Sequence, residues 1–253
     1  MDNIILFLLM IPFVPLFFFA SMYAQISLGE SASETGLYLL IFFAGFATAS
    51  QWGGKMLDRV GARPAVVLGC AVAAVGFYLW GNSLTELSVG DQWYYIVIAG
   101  AGVGLVLSPA NTDALNRVPR ERYGEATGIT QTVRNFGSSL GLAVLGSILI
   151  LENRSNLEAT AAENGVPKQA GSEIADVISQ GTGAGESAEH LPPRLQKVVD
   201  AIPHDFALAS RTVFYAMAGV MAVAFVVALA RMPAGKVETE VEDFGEPTSA
   251  GPA

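Results

Sequence analysis

The chain is poor in charge. Charged residues make up 15% of its 253 positions, against about 25% in an ordinary soluble domain. Lys and Arg number 14 against 23 Asp and Glu, a net charge of -9, and no basic stripe is present to follow phosphates, which speaks against a nucleic-acid partner. A single cysteine, Cys70, excludes an internal disulfide. That cysteine and two histidines, His190 and His204, give no metal-ligand cluster, so no metal is expected. Carboxylates are missing from the core of every long apolar run, the nearest being Asp113 at the end of one. No nucleophile, base and acid come together in a catalytic pattern, so an enzyme is not expected.

What the chain has instead is apolar length. Hydrophobic residues reach 52% and the mean hydropathy is +0.45. A bilayer core takes roughly 20 apolar residues of helix. Stretches of that kind fall at about 3–25, 36–56, 65–82, 93–113, 125–150 and 208–231. The loops at 53–64 and 114–124 hold Lys55, Arg59, Arg63, Arg117, Arg120 and Arg122, whereas those at 27–35 and 83–92 hold only acids, Glu30, Glu34, Glu86 and Asp91. Short basic loops stay in the cytoplasm. The expected arrangement has both chain ends inside the cell and the 151–207 segment outside. The first apolar run starts Met1-Asp2-Asn3 with no basic residue ahead of it. Since Lys or Arg usually precedes such a helix, the expectation is that preceding residues are missing or that the start site is misplaced.

Segment 151–207 is rich in Glu, Ala, Gly, Ser and Asn. It reads as a flexible extracytoplasmic loop. Within it Leu195, Val198, Val199 and Ile202 recur at helical spacing after Pro192-Pro193, which predicts a short amphipathic helix at the membrane face. The last span occupies 208–232, and the acidic, proline-ended tail 233–253 reads as disordered.

Between the second and third runs stands Gly54-Lys55-Met56-Leu57-Asp58-Arg59-Val60-Gly61-Ala62-Arg63. Gly61 permits a tight reversal, and Pro64 suits the first turn of the helix that follows. The segment resembles the cytoplasmic loop signature of the major facilitator superfamily, G-x-x-x-D-R-x-G-(R/K)-(R/K). It matches at Gly54, Asp58, Arg59, Gly61 and Arg63 and departs at Ala62, where a basic residue is usual. The resemblance implies a gate latch and conformational switch that does not touch substrate. The alternative is a plain positive-inside anchor.

A second stretch extends the likeness: Gly100, Gly102 and Gly104, then Ser108-Pro109, then Val118 to Gly128, then Arg134 to Gly141. In that order and spacing it is similar to the C-terminal half of fourteen-helix drug:proton antiporters, over most of residues 15–230. The resemblance implies a multidrug efflux transporter driven by the proton motive force, with no other cofactor. Its antiporter signature helix and titrating acids belong to an N-terminal half that nothing here resembles.

The glycines at 100 and 104, 124 and 128, and 137 and 141 are spaced four apart, and Gly45, Ala49 and Gly53 extend the device. Small residues at that spacing let helices approach closely in lipid, so all are expected to be packing sites. Gly137-Ser138-Ser139-Leu140-Gly141 also satisfies G-x-S-x-G, but that elbow needs a preceding strand and a His and acid partner. Gly100 to Gly104 likewise lacks the strand of a dinucleotide loop. Polar residues inside spans mark candidate cavity walls: Tyr23 and Gln25 on the first, Ser108 and Asn111 on the fourth, Gln131, Arg134 and Asn135 on the fifth. Arg134 either lines a substrate path or makes structural hydrogen bonds.

The reading is an all-α membrane protein with six transmembrane helices, half of a major facilitator fold made of two inverted three-helix repeats. It is expected to be multi-pass in the cell inner (plasma) membrane. Its expected partners are the bilayer, an N-terminal transporter half or second copy, and a small-molecule substrate. The expected activity is export of hydrophobic or cationic small molecules by proton antiport. The alternatives are a half-size subunit working as a dimer and a non-transporting membrane assembly protein.

Overall fold

A computed structural model describes residues 1–167, 193–233 and 235. The described residues form six long helices and no strand: α1 (Asp2–Ile26), α2 (Ala32–Val60), α3 (Ala62–Ser83), α4 (Val89–Asn116), α5 (Tyr123–Glu163) and α6 (Pro193–Arg231). All six are long and apolar enough to cross a membrane. Single 3-10 turns, Leu84–Glu86 and Arg120–Arg122, lie in the α3–α4 and α4–α5 connections. Hydrocarbon offers no hydrogen-bond partner, so each segment satisfies its own backbone by winding into helix.

Helix ends follow from local sequence. Ser31 starts α2 with a capping box. Its hydroxyl oxygen accepts from the Glu34 N–H at 3.4 Å, and the Glu34 carboxylate accepts from the Ser31 N–H at 2.9 Å. Gly61 stops α2 and starts α3 with φ 93°, a backbone region that L side chains rarely adopt.

Packing follows a pseudo-two-fold pattern. α4 lies against both α2 and α3, α1 lies against both α5 and α6, and α3 and α6 meet at the centre. Exchanging α1 with α4, α2 with α5 and α3 with α6 turns the first two contacts into the second two and leaves the α3–α6 contact in place. That is the pattern of two inverted three-helix repeats. Small residues set the matching close approaches. A side chain at Gly100 or Gly104 would strike the Phe42 or Phe46 carbonyl of α2, and one at Gly141 the Ile11 carbonyl of α1. Gly45 and Gly53 also face α4, against Val97 and Pro109. Gly124 and Gly128 do not follow the expectation, because nothing lies within 4 Å of where their side chains would be.

The segment expected as an outer loop is partly helix. α5 continues to Glu163, and the predicted amphipathic helix is the first part of α6. The two extensions pack on each other, with Leu157, Ala161 and Val198 fully buried and Ile202 nearly so. Asp205 joins them: its side-chain carboxylate accepts from the Thr160 hydroxyl at 2.7 Å, and its backbone carbonyl from the Asn156 amide at 3.1 Å. Of the predicted apolar stripe, Val198 and Ile202 are thus buried and Val199 is half-buried. Residues 168–192, and the tail apart from 233 and 235, lie outside the described residues.

Candidate functional site

Two helices keep open faces. In their most apolar stretches 22% of residues are buried on α2 and on α5, against 50% on α1, α3 and α4. The open surface of α5 is mixed, with Ile129, Phe136 and Leu140 exposed beside polar residues. Gln131, Thr132, Asn135 and Ser139 are exposed along it, and Gln131 donates to Asn135 at 3.0 Å. Polar side chains at membrane depth mark a cavity or another protein surface.

A groove runs between these helices. Phe46 and Ser50 of α2, Leu107, Ser108, Asn111 and Thr112 of α4, and Arg134 of α5 line an open pocket of about 210 Å³. Phe46, Ser50 and Ser108 also border a wider hollow of about 520 Å³, whose remaining walls are Ala47, Gln51, Gly54, Lys55 and Asp58. The tertiary fold thus brings together Ser108, Asn111 and Arg134 from the predicted set, and places Gly54 and Asp58 beside them. Gln131 and Asn135 lie on the open α5 face.

Tyr23 is elsewhere. It is fully buried, and its hydroxyl donates to the Leu84 carbonyl at 2.7 Å while accepting from Gln92 Nε2 at 2.8 Å. Gln92 Oε1 in turn accepts from the Tyr38 hydroxyl at 2.9 Å, which accepts from the Trp80 indole N–H at 3.0 Å. These four side chains tie α1 to α4 at the end opposite the basic loops, with every one satisfied inside the core. Gln25 is exposed and donates to Ser21 at 3.0 Å. Neither lines the groove.

The signature turn divides in two. Asp58 and Arg59 are exposed and make no ion pair among the described residues. Arg63 is occupied: its Nη2 donates to the Leu229 carbonyl at 2.9 Å, satisfying a free carbonyl near the end of α6. The Gly61 turn and Arg63 therefore fix the α2–α3 corner onto α6, and the Asp58–Arg59 pair projects free.

Sequence reasoning missed a charge cluster at the same end. Asp2 and Asp113 are 5% and 1% exposed. Arg117 Nε lies 2.8 Å from Asp113 and 3.7 Å from Asp2. The spacing of Asp113 and Arg117 is legible as a helical pair, but the approach of Asp2 is a tertiary event. Beside it the Thr130 hydroxyl donates to Asn3 Oδ1 at 3.0 Å. No group of three or more His, Cys, Asp and Glu among the described residues is placed to hold a metal.

Comparison with known proteins places this architecture. The chain is 27% identical over 253 residues to the tetracenomycin C resistance and export protein of Streptomyces glaucescens, an alignment covering 98% of this chain and 46% of that one. It is 35% identical over 136 residues to the multidrug resistance protein Stp of Mycobacterium tuberculosis, covering 51% of this chain and 24% of the relative. It is 29% identical over 141 residues to the lincomycin resistance protein LmrB of Listeria monocytogenes, with 54% and 29% covered. The chain thus spans less than half the length of each of these relatives. The family model described as Major Facilitator Superfamily matches residues 3–142. That match reaches from the first helix to the middle of the fifth, more than half of the sequence, and on it the chain belongs to the major facilitator superfamily, as a multi-pass membrane protein.

Proposed function

We propose that this chain forms the C-terminal half of a drug exporter that moves hydrophobic or cationic small molecules out of the cell in exchange for protons. The observation that carries the reading is the groove between α2, α4 and α5, a polar concavity at membrane depth on the two least buried helices. Major facilitator substrates bind near the midplane between two such halves. The names of the relatives, resistance and export proteins, support the same direction. In this reading the open faces of α2 and α5 meet the other half, and the basic loops face the cytoplasm of the inner membrane.

The free Asp58–Arg59 pair serves as the movable part of the gate, which closes onto the other half, while Arg63 anchors the corner. The groove wall holds no carboxylate deeper than Asp58. The titrating acids that couple protons, and those that meet a cationic substrate, therefore come from outside this chain. The test is proton-driven dye accumulation in everted vesicles carrying the complete protein. Accumulation that collapses with the proton gradient is expected, together with its loss in Asp58→Asn and Arg59→Ala. Export untouched by both substitutions would overturn the gate. This chain alone, reconstituted in vesicles, should move no dye.

A further inference from the structure

Arg134 is the one charged residue lining the pocket of about 210 Å³, and its charge has no counterpart there. A guanidinium stays protonated at any physiological pH. Its Nε is buried and has no hydrogen-bond partner among the described residues, and it takes part in none of their ion pairs. Three arginines of the described structure are answered, Arg117 by Asp113, Arg154 by Glu158 at 3.0 Å and Arg63 by the Leu229 carbonyl, whereas Arg59 is unpaired but exposed to solvent at the helix end. The pocket wall around Arg134 offers the hydroxyls of Ser50, Ser108 and Thr112 and the amide of Asn111, but no carboxylate. Asp58 borders only the adjoining hollow, where Lys55 stands with it. The Arg134 side chain is half-buried, with the Nε edge of its guanidinium buried and unanswered, and an arginine inside a membrane span marks a functional site.

The shape adds a second half to the ligand. Phe46 and Leu107 form an apolar wall beside the guanidinium. The open pocket, about 210 Å³ in volume, has room for a single aromatic ring, for which roughly 150 Å³ suffices. We infer that this pocket binds hydrophobic organic acids, the guanidinium taking the carboxylate and Phe46 and Leu107 the ring. The inference rests on the transport reading and narrows its hydrophobic branch: the side of the cavity contributed by this chain selects anions, and cations must be held elsewhere. A planar guanidinium suits a carboxylate through two parallel hydrogen bonds, which an ammonium cannot reproduce.

The test uses the complete protein in lipid nanodiscs, titrated with benzoate, its neutral counterpart benzamide and the cation benzyltrimethylammonium, read by calorimetry and thermal shift. Benzoate should bind at least tenfold more tightly than the other two, and Arg134→Gln should remove that preference, the scale expected for a lost charge-assisted hydrogen bond. Equal binding of benzoate and benzamide, or benzoate binding that survives Arg134→Gln, overturns the inference. So does an absence of benzoate binding, since a carboxylate elsewhere in the protein then answers Arg134. Should Arg134→Gln fail to fold, Arg134→Lys carries the test: fivefold weaker benzoate binding with benzamide unchanged is expected, and unchanged benzoate binding overturns it. Benzoate preference without dye export would leave this subsite standing and sink the antiporter reading. Dye export without benzoate preference would do the reverse.

Discussion

Gly128 and Gly141 each close a pair of glycines four residues apart on the same helix, yet only one touches anything. A methyl on Gly141 would overlap the Ile11 carbonyl, whereas one on Gly128 would meet open space. Gly141→Ala should therefore destabilise the protein by about 1–3 kcal/mol, as overpacking does. Gly128→Ala should be neutral or slightly stabilising, since alanine favours helix by up to 1 kcal/mol over glycine. Thermal unfolding in mild detergent checks both, and equal losses would show that the α1–α5 contact is misread. Tyr23 offers a second contrast. Tyr23→Phe removes the hydroxyl that joins Leu84 and Gln92, so about 1–3 kcal/mol of stability should go. Substrate affinity should not change, because the ring is in the core and away from the groove. A shifted affinity at unchanged stability would restore Tyr23 to the cavity wall.

At the scale of helices, two contacts hold elements together through buried carboxylates. Asp2, on α1, and Asp113, on α4, share the Arg117 guanidinium. Arg117→Gln would leave two buried carboxylates facing each other. Breaking a buried pair costs about 3–5 kcal/mol, and the low end applies here because the Arg117 side chain is 33% exposed. Arg117→Gln combined with Asp113→Asn should recover most of that loss. Failure of the double substitution to recover would mean that the cluster is held by packing and not by charge. Where α5 and α6 extend beyond their spans, Asp205 accepts from Thr160. Thr160→Val should loosen the 156–163 segment by about 1 kcal/mol, roughly a fivefold faster amide exchange there. Exchange as fast as in a free loop in the parent protein would contradict the helical extension. Sequence reasoning read this region as loop because its composition is polar and small. Leu157, Ala161, Val198 and Ile202 are buried only because two successive helices supply each other with an apolar face.

Across the whole molecule, the open faces of α2 and α5 separate a groove wall from a lipid-facing surface. Cys70 is the only cysteine and is buried, so introduced thiols can be read against a quiet background. Gln131→Cys and Asn135→Cys should react at least tenfold faster with a membrane-impermeant thiol reagent than Val223→Cys on the exposed face of α6. The reason is that the reactive thiolate forms only where water reaches it. Equal, slow labelling at all three positions would mean that lipid, not a cavity, covers α5.

The six spans, the two polar loop sets and the Gly61 turn were legible because the bilayer acts on one helix at a time. Apolar length, the place of charge and a backbone needing positive φ are all local properties, readable along a single strand of sequence. Partner choice is not local. That Gly141 meets α1 while Gly128 meets nothing, that Tyr23 is core and not wall, that Asp2 finds Arg117, and that Arg134 finds no acid each depend on which helix faces come together. The pseudo-two-fold packing of α1 with α5 and α2 with α4 decides those faces. It joins residues more than a hundred positions apart, as Asn3 and Thr130 show, and no spacing rule along one helix reaches across that distance.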